Sequence, residues 1–171
     1  LSGLSRSDLY LPLLLLAAAP ASAVDKDNPF GVKAECPSQP VAPGATVSLA
    51  VEYQVFSEDY FIYRDMSAVR VDDAGGLTAS EPVFPKGEVK YDKVSERERE
   101  IFAHNFKVEV PISIPADASE GTHTVAFNAK WQGCNKPENY CLFPSNVDLT
   151  CAVIVGTGSA DGMPIDDGPP D

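Results

Sequence analysis

Two stretches of the chain, residues 45–53 and 106–114, alternate between apolar and polar side chains. Successive side chains of a β-strand point to opposite faces, so a period of two places the apolar residues of each stretch on one face. These apolar residues are Val47, Leu49, Val51 and Tyr53 in the first stretch and Phe106, Val108, Val110, Ile112 and Ile114 in the second. Each stretch therefore predicts a strand that buries one face.

Further short strands are predicted along the chain, with turn residues between them. Residues 122–131 and 147–155 give two more strands, and 61–71 and 83–89 are plausible additions. The charged run 95–100 is interpreted as a solvated loop or exposed strand rather than as a helical turn. Turn-forming residues occur at 43–44, 73–76, 85–87 and 115–117. Short strands at this spacing predict an all-β, immunoglobulin-like β-sandwich.

Both ends of the chain differ in composition from the predicted sandwich. An apolar run from Leu9 to Ala19 is followed by Ala21-Ser22-Ala23, the small-residue pattern after which signal peptidase cuts. Residues 1–23 are therefore interpreted as a signal peptide. From residue 156 to 171 the chain is rich in Gly, Pro and Asp, as in a flexible acidic linker or tail. The folded domain is expected to span residues 24–155.

The charge of the chain makes several classes of partner and site unlikely. The formal net charge is −12, and removing residues 1–23 leaves it unchanged because Arg6 and Asp8 cancel. A surface this acidic argues against nucleic acid or anionic lipid as a partner. The apolar run at the N-terminus is short for a membrane span of about 20 residues, so the mature domain is not expected to be inserted in a membrane. His104 and His123 lack metal-ligand spacing with the cysteines, so no metal is expected.

Four cysteines, Cys36, Cys134, Cys141 and Cys151, lie in the portion that is expected to be exported. Disulfides are expected in an oxidising compartment, but four cysteines allow three pairings and the sequence does not choose among them. A bond from Cys36 to Cys151 would fasten both ends of the domain and is interpreted as structural. A ring closed by Cys134 and Cys141 would be short and stabilise by somewhat under about 3 kcal/mol, against more than about 4 for a long ring. That short bridge could be an inert staple or an exchange site.

Several motifs resemble the N-terminal periplasmic domain of the DsbD family of thiol:disulfide interchange proteins. Their order and spacing match over most of residues 45–155. The motifs are Tyr53-Gln54-Val55, Asp59-Tyr60-Phe61-Ile62-Tyr63-Arg64, Phe84-Pro85-Lys86-Gly87, Val110-Pro111-Ile112 and Trp131-Gln132-Gly133-Cys134 with Cys141 and Pro144.

The resemblance implies a cofactor-free electron relay with protein-disulfide reductase activity in the periplasm. A thioredoxin-like domain would reduce the Cys134 and Cys141 pair, which would then reduce oxidised periplasmic thiol proteins of the disulfide isomerase or cytochrome c maturation type. Cys141 would form the mixed disulfide with the partner, and Cys134 would resolve it. An alternative is a secreted immunoglobulin-like binding module in which both disulfides are structural.

The resemblance also implies residues that shield or tune the cysteine pair. Phe61 and Tyr63 match the shielding aromatic residues of the family. The cap loop falls near Tyr91 to Val94, where Asp92 matches a family acid, Val94 occupies the position of the expected aromatic residue and Tyr91 is the candidate substitute. An acidic neighbour such as Asp92 would disfavour a thiolate, and the reduced pair would therefore stay unreactive until a partner docks.

Overall fold

The structure is a computed structural model that describes residues 28–93 and 95–157. The predicted signal peptide at residues 1–23, Val94 and the tail from residue 158 lie outside the described residues. No helix in the described part of the chain has the length and apolar character needed to cross a bilayer.

Twelve β-strands and one short 3₁₀ turn make up the regular structure of the described residues. The strands are β1 (Phe30–Glu35), β2 (Thr46–Val55), β3 (Tyr60–Tyr63), β4 (Ala68–Asp73), β5 (Thr78–Ala79), β6 (Glu88–Asp92), β7 (Arg97–Phe102), β8 (Phe106–Ser113), β9 (Gly121–Trp131), β10 (Gly133–Asn135), β11 (Tyr140–Cys141) and β12 (Ser145–Val155), and the 3₁₀ turn is Arg64–Met66.

The strands form three sheets, with the orders β1-β2-β8-β5, β12-β9-β4 and β11-β10-β3-β7-β6. The first two sheets pack against each other through one hydrophobic cluster to which β2, β8, β9 and β12 all contribute. The apolar faces predicted for β2 and β8 are the buried faces, because Leu49 and Val51 of β2 and Val108 and Val110 of β8 are fully buried. The predicted immunoglobulin-like sandwich is confirmed, and the third sheet extends it at one end.

The prediction of one strand over residues 61–71 is wrong, because the 3₁₀ turn separates β3 from β4. The Ser67 hydroxyl donates to the carbonyl of Tyr63 at 2.6 Å, and the Ser67 amide donates to the carbonyl of Arg64 at 3.2 Å. These bonds close the turn by which the chain passes from the third sheet to the second.

The predicted strand over residues 83–89 is also wrong over most of its length. Val83 makes an isolated bridge to Glu109, and a continuous strand begins only at Glu88. Pro85 lacks the amide hydrogen that a ladder needs, which is consistent with the break. The charged run 95–100, by contrast, enters β7, and the exposed strand considered in the sequence is confirmed.

Two disulfides are present, one between Cys36 and Cys151 and one between Cys134 and Cys141. The first joins the chain just after β1 to the middle of β12, with a Cα–Cα distance of 5.4 Å and a sequence separation of 115 residues. It therefore links the first sheet to the second. The other disulfide lies in the third sheet.

Candidate functional site

The Cys134–Cys141 disulfide lies in a small hairpin at the edge of the third sheet. Cys134 in β10 and Cys141 in β11 are direct partners in an antiparallel pair, and their Cα atoms are 3.9 Å apart. The turn between them begins with Asn135, whose side-chain oxygen accepts a hydrogen bond from the Glu138 amide at 2.8 Å. Asn139 adopts a positive φ of 54°, a conformation that asparagine tolerates well. The local sequence therefore brings the two sulfurs together.

The Trp-Gln-Gly-Cys motif anchors this hairpin to the rest of the fold. The side-chain amide of Gln132 donates a hydrogen bond to the Leu142 carbonyl at 3.0 Å. The backbone amide of Leu142 donates to the Gly133 carbonyl at 2.9 Å. A Cβ atom at Gly133 would overlap the ring of Phe30. Glycine is thus required at this position because β10 runs directly against a buried aromatic ring.

The two sulfurs differ in exposure. Cys134 retains 2% of its accessible surface, whereas Cys141 is only partly buried. Cys134 lies opposite Phe61 of β3, and it packs in a cluster with Tyr63 and Ile101. Phe61 and Tyr63 contact each other edge to face, with ring centroids 5.0 Å apart. The two aromatic residues singled out in the sequence therefore lie against the disulfide.

The hydroxyl group of Tyr63 connects the disulfide to charged residues. Its oxygen lies 3.8 Å from the Sγ atom of Cys141, and the Asp92 carboxylate is its acidic neighbour. Burial, reinforced by Asp92, raises the pKa of Tyr63 to about 12, so the hydroxyl keeps its proton at neutral pH. The guanidinium carbon of Arg99 stacks 3.5 Å above the centre of the Tyr63 ring.

Asp92 also organises the turn between β6 and β7. Its carboxylate accepts hydrogen bonds from the Ser95 amide, at 3.1 Å, and from the Ser95 hydroxyl. Arg99 lies 3.9 Å from the same carboxylate and forms a shorter ion pair with Asp65. The segment expected to act as a cap is therefore coupled to Tyr63 through Asp92.

A cavity of about 440 Å³ opens between the β6–β7 turn and the β10–β11 turn. Cys134, Phe61 and Ile101 line it from the sheet, and Tyr91 lines it from β6. Tyr91 is 63% exposed. The candidate cap residue Tyr91 thus borders the same cavity as Cys134, while Val94 is outside the described residues.

Arg99 and Ser95 were not identified as site residues from the sequence, because both belong to the charged run. One signal was available for Arg99. Side chains two residues apart in a strand share a face, and Arg99 is two residues before the buried Ile101. His123 has a structural role, since its two ring nitrogens lie 2.8 Å from the carbonyl oxygens of Gly75 and Ser119.

Comparison with known proteins gives one sequence family and several weak structural similarities. Residues 26–150 match the profile of the family described as thiol:disulfide interchange protein DsbD, N-terminal. No curated protein matches the chain significantly. AggA, the major subunit of aggregative adherence fimbriae type I from Escherichia coli, is 10% identical, with 75% of this chain and 95% of that chain covered and a TM-score of 0.39. The seventh ScaB type I cohesin from Pseudobacteroides cellulosolvens is 9% identical, with the same coverage and a TM-score of 0.40. Similarities this weak carry no functional argument.

Proposed function

Because this chain belongs to the family of the N-terminal domain of the thiol:disulfide interchange protein DsbD, we propose that the Cys134–Cys141 disulfide is its exchange centre. The observation that carries the proposal is the position of this pair. It lies in an edge hairpin with one partly exposed sulfur and one buried sulfur, next to an open cavity. The other disulfide has Cys151 buried at 1% exposure in the sandwich core, and we assign it a structural role.

The proposed reaction transfers two electrons and two protons to an oxidised protein. The Cys141 thiolate attacks one sulfur of the partner disulfide, forms a mixed disulfide and releases the other partner sulfur as a thiolate that takes up a proton. Cys134 then attacks Cys141, which restores the internal disulfide and releases the second partner thiol. Cys141 acts first because it is the more exposed sulfur. The chemistry requires no metal or organic cofactor.

The electron donor in this proposal is a thioredoxin-like domain, and the acceptors are oxidised thiol proteins of the disulfide isomerase or cytochrome c maturation type. The domain is periplasmic, as is the domain that defines the family. Residues 1–23 would direct export, residues 24–155 would form the exchange domain, and residues 156–171 would act as a flexible linker or tail. Exposed apolar residues beside the hairpin favour a protein partner, since Phe143, two residues after Cys141, is 93% exposed.

Phe61 and Tyr63 shield the disulfide in this proposal, and the segment from Tyr91 to Val94 caps it. Phe61 and Tyr63 pack directly on the cysteine pair. Asp92 holds the cap turn through Ser95, and it raises the pKa of Tyr63, whose hydroxyl oxygen lies 3.8 Å from the Sγ atom of Cys141.

A redox titration separates this proposal from a binding module with two structural disulfides. The folded protein is equilibrated in dithiothreitol buffers of graded potential, its thiols are labelled, and the labelled peptides are mapped. We expect Cys134 and Cys141 to be labelled while the domain remains folded, and Cys36 and Cys151 to be labelled only on unfolding. Resistance of both disulfides until unfolding would contradict the relay and support the binding module.

A trapping experiment tests the order of attack. Cys134→Ser leaves Cys141 as the single thiol of the pair, and Cys141→Ser leaves Cys134. The partner is an acceptor of the disulfide isomerase type that keeps one cysteine of its pair, activated as its mixed disulfide with thionitrobenzoate, which leaves on attack. We expect a stable mixed disulfide with the Cys134→Ser variant and little with the Cys141→Ser variant. Equal or reversed trapping would contradict the assignment of Cys141 as the attacking residue.

A further inference from the structure

The cavity beside Cys134 carries a positive charge that is unusual for this molecule. Lys90, Lys93 and Lys136 line it, whereas the chain as a whole has a net charge of −12. The acidic residue in its wall, Asp92, accepts hydrogen bonds from Ser95 and lies 3.9 Å from Arg99. Three cationic side chains and one acidic side chain therefore line the cavity, in a chain that is acidic as a whole.

The partners of the three lysines leave much of this charge available. Lys136 donates to the backbone carbonyl of Glu58 at 2.7 Å, and this acceptor carries no net charge. Lys90 forms an ion pair with Glu88 at 2.6 Å, but both side chains are about half exposed, so solvent screens the pair. Lys93 is exposed at the end of β6.

The shape and the other walls of the cavity fit a small molecule. Its volume of about 440 Å³ lies within the range of roughly 300–1,000 Å³ that is common for small-ligand pockets. Phe61, Ile101 and Pro137 supply apolar surface, and Cys134 of the proposed exchange pair lies in the cavity wall. A ligand that uses all of these features would combine an apolar stem, carboxylate groups and a sulfur atom.

We propose that this cavity binds carboxylate-bearing low-molecular-weight thiols and disulfides, and that the Cys134–Cys141 pair exchanges electrons with them. This inference rests on the proposed function of the pair. In the oxidising direction, one protein thiolate attacks a sulfur of the small disulfide and releases one small thiol. The second protein thiolate then attacks the mixed disulfide, forms the Cys134–Cys141 bond and releases the second small thiol. Two electrons and two protons pass from the protein to the ligand.

The test compares two small disulfides that differ in charge. Reduced protein is mixed with glutathione disulfide, which carries four carboxylates, or with neutral 2-hydroxyethyl disulfide, and the second-order rate of oxidation is measured. Charge steering is expected to lower the glutathione disulfide rate roughly 3- to 10-fold in Lys93→Glu or Lys136→Glu at low ionic strength. The rate with the neutral disulfide should stay within about twofold, and added salt should weaken the effect of the variants.

Lys107→Glu is the matched control. Lys107 lies in β8, pairs with Glu35 at 2.7 Å and does not line this cavity, yet its replacement changes the net charge by the same amount. We expect a much smaller loss of rate with this variant. Equal losses in all three variants would indicate a general charge effect and would overturn the site.

A binding measurement without exchange gives a second readout. S-methylglutathione has the carboxylates but no reactive sulfur, so its binding to the oxidised protein can be followed by NMR. Chemical-shift changes at Tyr91 and Asn135 that weaken in Lys93→Glu would support the site, and their absence at millimolar ligand would overturn it. If the pair exchanges with neither small disulfide nor dithiothreitol, the proposed function itself fails. If it exchanges with neutral disulfides and charge has no effect, only the cavity assignment fails.

Discussion

The Tyr63 hydroxyl contacts the disulfide at the more exposed of its two sulfurs. Its oxygen lies 3.8 Å from the Sγ atom of Cys141 in the position of a hydrogen-bond acceptor, and burial beside the Asp92 carboxylate raises its pKa. Lone pairs beside a sulfur favour the protonated thiol over the thiolate, because the thiol can donate a hydrogen bond and the thiolate cannot. The hydroxyl would therefore lower the reactivity of the reduced Cys141 rather than raise it.

Replacing Tyr63 by Phe should make Cys141 more reactive. In the Cys134→Ser background, where Cys141 is the free thiol of the pair, we expect alkylation by iodoacetamide at pH 7 to be about fivefold faster. That factor is the rate equivalent of one hydrogen bond of about 1 kcal/mol. Tyr140→Phe is the matched control, since the Tyr140 hydroxyl lies 3.2 Å from the hydroxyl of Tyr60. A slower reaction in Tyr63→Phe would show that the hydroxyl stabilises the thiolate.

His123 makes the stability of the domain depend on pH. Both ring nitrogens face carbonyl oxygens, of Ser119 and of Gly75, and these hydrogen bonds raise the pKa of His123. A pKa raised in the folded state gives stability that is fully present below the ordinary value of about 6.5 and is lost as the pH rises through the folded pKa.

The His123→Gln variant should therefore lose more thermal stability at pH 5.5 than at pH 8.5. The measurement is the difference in Tm between the variant and the wild type at each pH. His104→Gln replaces an exposed histidine and serves as the control. A Tm difference for His123→Gln that is equal at both pH values would show that the charged imidazolium contributes nothing to folding.

At the scale of the elements, the hairpin of β10 and β11 depends on close packing against its neighbours. At Gly133, a Cβ atom would overlap the Phe30 ring and come within 3.0 Å of the Phe61 carbonyl oxygen. The Phe30 ring cannot move away freely, since it is 3% exposed and packs edge to face on Tyr60 at 5.9 Å between centroids. A methyl group at this position therefore forces the hairpin away from β3.

Gly133→Ala should destabilise the domain by about 1–3 kcal/mol, the usual cost of overpacking. Urea unfolding would measure the loss as a lower midpoint with an unchanged slope. Gly156→Ala is the matched control, because the nearest atom to a Cβ there is 3.9 Å away. Equal stability of the two variants would show that β10 can shift without cost.

Alternation predicted the long strands of the sandwich well but not the short strands of the site. β2 and β8 each bury one face over eight or more residues. An alternation of apolar and polar residues that continues over this length can be recognised in the sequence. β10 and β11 have three and two residues, too few to show any period. Their pairing depends on contacts with β3, which is distant in sequence. The spacing of Cys134 and Cys141 therefore left their role open, and only the resemblance to a family favoured exchange.

The position of Arg99 shows a second limit of prediction from the sequence. Its run of charged residues indicated a solvated surface, and Glu98 in the same strand is indeed exposed. The Arg99 side chain is only 10% exposed, because Tyr63 covers it and Asp65 and Asp92 neutralise its charge. These three partners lie on other strands and turns, so the burial of Arg99 is a property of the tertiary structure.

At the scale of the whole molecule, the two disulfides constrain the chain to very different degrees. Cys36 and Cys151 are 115 residues apart, and their bond ties the first sheet to the second. Cys134 and Cys141 are 7 residues apart within one hairpin. The loss of entropy that a cross-link imposes on the unfolded chain grows with the length of the closed loop, so the longer bridge should contribute more to stability. In the proposed function, the shorter one opens and closes while the longer one keeps the sandwich folded.

Removing each disulfide in turn tests this division of roles. Replacing both Cys36 and Cys151 by Ala should lower the free energy of unfolding by up to about 4–5 kcal/mol. Replacing both Cys134 and Cys141 by Ala should lower it less, by somewhat under about 3 kcal/mol. Urea unfolding under non-reducing conditions measures both losses. The protein without Cys36 and Cys151 should, while folded, keep the wild-type redox midpoint at Cys134 and Cys141, because the two bridges lie in different sheets. A shifted midpoint, or a larger loss of stability from the short bridge than from the long one, would contradict the separation of a structural disulfide from an exchanging one.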